Sequence, residues 1–153
     1  MTNLLELRQG DISYNEKWFV YRSTPDDAGN TLVEEEIEGI VILSQTCDII
    51  RSSQDRPYLE VSPLVRIEEP HVLREIRKGS RPRYAYIPAA AAEMLVADLD
   101  RVMTVDKAAA SEWSFQRGCT DPMEQTRFAH AIARKRNRFA FSDDLVELLR
   151  PLQ

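Results

Sequence analysis

The 153-residue chain has only two cysteines, Cys47 and Cys119, which are too few for a disulfide framework. Its two histidines, His71 and His130, add no CxxC or HxxxH spacing, so we expect no metal site. Five glycines form no phosphate-cradling loop, and we expect no cofactor. The longest apolar run is interrupted by Glu93 and is too short to span a membrane. Because a signal-peptide pattern is also missing, we expect a cytoplasmic protein.

The composition itself is that of an ordinary soluble globular domain, with 43% hydrophobic and 29% charged residues. The net charge of −5 is distributed unevenly along the chain. Residues 1–70 contain 6 cationic and 14 anionic side chains, net −8, whereas residues 71–153 contain 14 and 11, net +3. The C-terminal half can therefore offer a basic face to an anionic partner.

Apolar and turn patterns predict a mainly β (α+β) protein. Residues 17–22 are rich in aromatic and β-branched side chains, and residues 40–43 are typical of a buried strand. Four carboxylates within 34–38 favour a solvated edge strand or loop over an acidic metal cluster. Pro63 places its own strand at an edge or a bulge. The predicted core residues are Val41, Ile42, Leu43, Leu59 and Val61.

Helices are predicted towards the C-terminus. Residues 121–136 begin with an Asp cap, a proline in the first turn and a glutamate three residues after the cap. A second short helix is predicted for residues 143–150, and a two-turn helix for residues 71–78. The stretch 94–107 has features of both helix and strand. We expect the two C-terminal helices to pack on the β domain through Phe128, Ile132, Leu145 and Leu148.

Polar side chains follow the buried strand directly, and three of them, Gln45, Cys47 and Asp48, are weak catalytic candidates. A catalytic cysteine needs a nearby histidine or cation to stabilise its thiolate, and no histidine is adjacent in the sequence. The favoured interpretation is a small, buried, inert Cys47 beside a turn formed by Asp48. Gln45 and Asp48 would then serve binding or local structure.

A basic segment is the main nucleic-acid-binding candidate. Guanidinium groups hold phosphates and tyrosines stack on bases, a combination that suits single-stranded RNA. The candidate residues are Arg74, Arg77, Lys78, Arg81, Arg83 and Tyr84. A second cluster, 134–136 with Arg138, either adds to this surface or complements a helix dipole, and Arg117 and Arg127 can join it. We expect cations of residues 74–83 to share a concave surface with Ser44, Gln45 and Asp48.

The order of several short motifs resembles the MazF/PemK family. The motifs are GDI at residues 10–12, VILS at 41–44, SPL at 62–64 and LVADLDRVMTVDK at 95–107. The resemblance covers about residues 8–110 and implies a small SH3-like antiparallel β-barrel over residues 1–112. Residues 113–153 would be a C-terminal helical extension packed on the barrel.

The family consists largely of ribonuclease toxins of toxin–antitoxin pairs. The resemblance therefore implies RNA and an antitoxin or other protein as partners, a homodimer, and strands rather than a helix over 94–107.

This chain departs from the family at the positions that catalyse cleavage. The family uses an arginine at the start of the apolar strand and a Thr or Ser after the later Pro-Ile. The aligned positions are Gly39-Ile40 and Val65, which supply neither a proton nor a positive charge. Two hypotheses stay open: a divergent toxin-like or defence protein that binds RNA, with endoribonuclease activity undecided, or a non-catalytic protein-interaction module with a degenerate barrel.

Overall fold

A computed structural model describes residues 2–137, in which eight strands and five α-helices are found. The predicted helix at 143–150, with Leu145 and Leu148, lies outside the described residues. The strands are β1 (Ile12–Ser13), β2 (Trp18–Arg22), β3 (Leu32–Glu36), β4 (Gly39–Ile42), β5 (Tyr58–Arg66), β6 (Tyr84–Ala85), β7 (Leu95–Asp98) and β8 (Met103–Asp106). The α-helices are α1 (Thr46–Ile49), α2 (Pro70–Lys78), α3 (Pro88–Ala91), α4 (Lys107–Ser111) and α5 (Pro122–Arg136).

Six of the strands form one antiparallel sheet with the order β1-β4-β5-β7-β6, and β8 also pairs with β5. Strands β2 and β3 form a separate hairpin, whose β3 carries the acidic stretch as an exposed strand. The mainly β, α+β class predicted from the sequence is confirmed. Within residues 2–137 the five-strand path from β1 to β6 stays open, so the expected closed barrel is not observed.

Strand β5 is the centre of the large sheet. On the side away from β4, its residues 58–61 pair with β8 and its residues 64–66 pair with β7. Strands β7 and β8 thus act as one strand interrupted at residues 99–102. The chain from 94 to 107 is therefore two strands and a turn, as the resemblance implied, and not a helix.

The interruption explains how a proline is accommodated in a central strand. The backbone N–H of Leu43 donates to the carbonyl of Glu60 at 2.8 Å, so the backbone of Glu60 faces β4. Because this orientation alternates along a strand, the backbone of Pro63 faces the gap between β7 and β8. Its missing N–H therefore costs no ladder hydrogen bond there. The sequence had predicted an edge or a bulge at Pro63. Strand β5 is instead the central strand, and the interruption that accommodates the proline lies between β7 and β8.

Strand β4 is buried on both of its faces. Ile40 and Ile42 pack in one apolar cluster, and Val41 packs in a second cluster on the other face. Burial on both sides requires a continuous apolar run instead of an alternating one. The predicted core residues Val41, Ile42, Leu43, Leu59 and Val61 are all confirmed as buried.

Helix α5 begins where the capping pattern predicted. The Asp121 side chain accepts a hydrogen bond from the N–H of Met123 at 2.6 Å, and Pro122 occupies the first turn. Phe128 and Ile132 are buried against the second cluster, beside Val41. No helix within residues 2–137 has both the length and the apolar character needed to cross a bilayer.

We predict that Phe128→Ala lowers the free energy of unfolding by about 3 kcal/mol, because Phe128 is 1% exposed and its removal leaves a cavity. Urea denaturation followed by circular dichroism measures this change. Met123→Ala is the matched control on the same helix, since Met123 is 63% exposed, and it should alter stability by less than about 0.5 kcal/mol. Equal effects of the two substitutions would show that α5 does not pack as described.

Candidate nucleic-acid interface

A cavity of about 950 Å³ lies between helices α2 and α5. Helix α2 contributes Arg77 and Lys78 to its wall, and helix α5 contributes Arg127 and Arg134. The Arg77 guanidinium lies 5.4 Å from the ring centre of Tyr86, which also lines the cavity. The cavity therefore combines cationic groups from two helices with an aromatic ring.

The helical period of α5 determines which side chains enter the cavity. Phe128 and Ile132 are buried in the core, so the neighbouring stripe of the helix faces α2. That stripe carries Arg127, His130 and Arg134, all of which line the cavity. The orientation of the basic residues thus follows from the packing of the apolar ones.

A glycine allows the two helices to approach each other. Gly79 ends α2 in the left-handed region at φ 80°, and Nη1 of Arg134 donates to its carbonyl oxygen at 3.3 Å. A Cβ atom at this position would lie 2.5 Å from Nη1 of Arg134. Any larger residue would therefore displace the guanidinium from the end of α2.

Four cations without a carboxylate partner among the described residues converge on this cavity. Within residues 2–137, Arg77, Lys78, Arg127 and Arg134 have no carboxylate oxygen within 4.0 Å, although Glu124 lines the same cavity. The cations that do pair with carboxylates are Arg51, Arg56, Arg66, Arg81, Arg83, Arg101, Arg117, Lys135 and Arg136. The lining of the cavity, with four such cations and one carboxylate, therefore carries a net positive charge.

The structure divides the basic segment predicted from the sequence. Arg77 and Lys78 line the cavity, and Arg74 is exposed on the same helix. Arg81 instead pairs with Glu75 at 2.7 Å. Only part of the predicted set is therefore available to an anionic ligand in the cavity.

Arg83 and Tyr84 lie outside the cavity lining. The Arg83 guanidinium bonds to Asp98 and lies 5.1 Å from the ring centre of Tyr84. Tyr86, two residues further along the chain, lines the cavity in place of Tyr84.

The second basic cluster is also divided. Arg134 lines the cavity together with Arg127, whereas Lys135 pairs with Asp100 and Arg136 with Glu60. Two further residues were named with this cluster. Arg117 pairs with Asp11 at 2.8 Å, and Arg138 lies outside the described residues. The signal that separates Arg134 from its neighbours is the helical period, which turns successive residues about 100° apart.

The polar residues after β4 form helix α1 and not the expected turn. Cys47 is exposed instead of buried, and its Sγ lies 3.6 Å from Oε1 of Gln45. Within residues 2–137, neither histidine is hydrogen-bonded to this thiol, and His71 lies 3.2 Å from a carboxylate oxygen of Glu69. Covalent catalysis by Cys47 therefore has no support in the described geometry.

A buried lysine holds α1 in place. Nζ of Lys107 donates to the carbonyls of Asp48 and Arg51 at 2.8 and 2.9 Å, at the negative end of the helix dipole. Burial lowers the pKa of Lys107. Asp48 itself is within 4.0 Å of Arg51 and Arg56.

The concave surface expected to combine the strand-end residues with the basic segment is not formed. Ser44, Gln45 and Asp48 are not among the residues that line the cavity. The reason is that β4 leads directly into α1, whereas the basic segment folds as α2 and packs beside α5. Within residues 2–137, no three His, Cys, Asp or Glu side chains are grouped to hold a metal ion.

Arg83 belongs to a buried ionic cluster around Asp98. The side chain of Asp98 is fully buried and accepts hydrogen bonds from Arg83 at 3.1 and 2.9 Å and from Arg101 at 2.9 Å. Burial alone would raise the pKa of Asp98, but the hydrogen bonds from the two arginines outweigh it and hold the pKa below its ordinary value. This cluster stabilises the fold, and it explains why Arg83 is not a free phosphate ligand.

We predict that Asp98→Asn lowers the free energy of unfolding by about 3 kcal/mol at neutral pH, because two guanidinium groups lose their buried partner. Since the folded-state pKa of Asp98 is depressed, its stabilisation is present above the unfolded pKa of about 3.9 and disappears as the pH falls further. The difference between wild type and variant should therefore shrink in acid. Urea titrations over a pH series measure it.

Asp100→Asn is the control in the same loop, because Asp100 is partly exposed, with 43% of its side chain accessible. It should cost about 1 kcal/mol or less. A difference between wild type and Asp98→Asn that does not change with pH would contradict this account of the cluster.

Comparisons with protein-family models, with curated proteins and with solved structures find no match for this chain.

Proposed function

We propose that the chain is a divergent MazF/PemK-like protein of a toxin–antitoxin or defence system and binds single-stranded RNA in the cavity between α2 and α5. The observation that carries this proposal is the convergence of Arg77, Lys78, Arg127 and Arg134 on one cavity without carboxylate partners in the described chain. Elsewhere in residues 2–137, most cations are already neutralised. A polyanion therefore gains most by binding here.

The chemistry of the cavity suits a nucleic-acid strand better than a simple anion. Guanidinium groups bind phosphate oxygens in pairs, and the Tyr86 ring gives a base a surface to stack on. The cations come from two helices, so successive phosphates of one strand can be contacted from both sides. Stacking on a tyrosine ring needs an unstacked base, which a single-stranded segment offers and a duplex does not.

The SH3-like part of this proposal is supported by the antiparallel sheet around β5 and by the structural roles of the family-like motifs. Gly10 adopts φ 91° ahead of β1, and Asp11 pairs with Arg117. Asp98 and Lys107 of the longest motif are both buried and hydrogen-bonded. The resemblance thus falls on residues that organise the β domain, and the open sheet is a degenerate form of the barrel.

Cleavage by the family's catalytic pair is not part of the proposal. A Cβ atom at Gly39 would lie 2.6 Å from the carbonyl oxygen of Ser13 and 2.9 Å from Cδ1 of Tyr14. An arginine therefore does not fit at this position without a shift of the backbone. Val65, the other aligned position, packs in an apolar cluster.

A second candidate function, a protein-interaction module, is favoured by the β2–β3 hairpin. Trp18 and Leu32 are 51% and 56% exposed on it, and both are large apolar side chains. Such a surface suits an antitoxin, another protein partner or a second copy in a homodimer. This function replaces the RNA proposal only if the cavity binds no nucleic acid.

We predict that the protein binds a short oligouridine and that log Kd depends steeply on log salt, with a slope of about 0.7 for each phosphate neutralised. Arg127→Ala combined with Arg134→Ala should weaken binding and reduce the magnitude of this slope by about 1.4, because two phosphate contacts are lost. Fluorescence anisotropy at several salt concentrations measures both effects.

The matched control is Arg51→Ala combined with Arg56→Ala, which removes the same charge from two exposed residues near Asp48. It should leave the slope unchanged, as should Cys47→Ser. Binding that is absent at low salt would refute the RNA proposal. Equal losses in both double variants would place RNA outside the cavity.

A further inference from the structure

We propose that the cavity between α2 and α5 is also a binding site for a free guanine nucleoside triphosphate, which competes there with RNA. The triphosphate binds at the cationic end of the cavity, and the guanine base binds at the end that carries Glu124. The nucleotide site goes beyond the proposed function, and only the competition with RNA rests on that function.

The two ends of the cavity differ in charge. Glu124 belongs to the first turn of α5 and Arg134 to its last turn. At a rise of about 1.5 Å per residue, about 15 Å of helix separates these two residues. The Arg134 guanidinium donates to the carbonyl of Gly79 at the end of α2, where Arg77 and Lys78 form the last turn of that helix. A ligand in the cavity therefore meets cations at one end and a carboxylate at the other.

The cations suit a triphosphate better than a single phosphate. Four positive groups line the cavity, and guanidinium groups bind phosphate oxygens in pairs. A nucleoside triphosphate carries about three to four negative charges near neutral pH, because its terminal phosphate has a second pKa of about 6. The Glu124 carboxylate repels the phosphates from its own end, so the ligand has one favoured orientation. The volume of about 950 Å³ is typical of pockets that enclose a whole small-molecule ligand.

Glu124 determines which base is favoured. Within residues 2–137 it is the one carboxylate of the lining, and a carboxylate accepts hydrogen bonds but donates none. The Watson–Crick edge of guanine presents two adjacent donors, N1–H and the N2 amino group, which match the two oxygens of a carboxylate. Uracil presents a single N3–H between two carbonyl oxygens, which a carboxylate repels. Tyr86, Pro88 and Ala131 also line the cavity and give a base an aromatic and apolar surface.

Calorimetric titrations of the full chain with GTP, UTP and inorganic tripolyphosphate test this site. Wild type should bind GTP about 10-fold more tightly than UTP, because a paired set of hydrogen bonds to the base discriminates by at least this much. Glu124→Gln should abolish the preference for GTP while binding tripolyphosphate at least as tightly as wild type, which shows that the variant is folded. Glu112→Gln is the matched control, since it removes an exposed carboxylate outside the cavity lining, and it should keep the wild-type preference.

Competition with RNA separates this inference from the proposed function. GTP should displace a labelled oligouridine from wild type at concentrations near its own Kd. Equal affinities of wild type for GTP and UTP, a preference that persists in Glu124→Gln, or tripolyphosphate that binds as tightly as GTP would each overturn the guanine site. Oligouridine that binds with the predicted salt dependence and is not displaced by GTP would overturn this inference and leave RNA binding in place. GTP binding without any oligouridine binding would overturn the proposed function and leave the nucleotide site.

Discussion

One buried carboxylate, Asp98, connects the parts of this fold. Its carbonyl accepts a hydrogen bond from the Ser62 hydroxyl of the central strand, and its side chain binds Arg83 and Arg101. Arg101 in turn reaches Glu35 in the β2–β3 hairpin at 2.8 Å. The carboxylate therefore holds the interruption between β7 and β8 opposite Pro63 of the central strand. Without this partner, Arg83 and Arg101 would keep only their contacts to the partly exposed Asp100 and Glu35, and the buried part of the cluster would lose its negative charge.

The sequence predicted the elements whose signal is local. Residues 40–43 have the unbroken apolar run of a strand buried on both faces, and 121–136 carry their own capping signal. It could not predict that Pro63 lies in the central strand, because the accommodating gap is formed some forty residues later by 99–102. Helix α1 was missed for a similar reason, since the carbonyls at its end are satisfied by the distant Lys107. Such features depend on tertiary partners, which a pattern along one segment does not contain.

The sequence predicted that basic residues form the candidate site, but it did not predict which of them do. Sequence composition located the cations, yet a phosphate ligand must be a cation that the fold has not already neutralised. Arg81 and Arg83 are paired with Glu75 and Asp98, whereas Arg127 and Arg134 are not paired with carboxylates in residues 2–137. Tertiary contacts decide which cations pair with carboxylates. The basic segment 74–83 therefore predicted too large a contribution from its C-terminal residues, Arg81 and Arg83.

Helix α5 links the stability of the protein to its proposed RNA-binding site. Phe128 fixes the rotation of the helix by filling the core, and this same rotation presents Arg127 and Arg134 to the cavity. A change in core packing would therefore turn the cationic stripe as well as weaken the fold. Gly79 imposes a second constraint, because its lack of a side chain lets the Arg134 guanidinium reach the end of α2. The packing of Phe128 thus orients the cationic stripe, and the missing Cβ of Gly79 leaves room for one of its guanidinium groups.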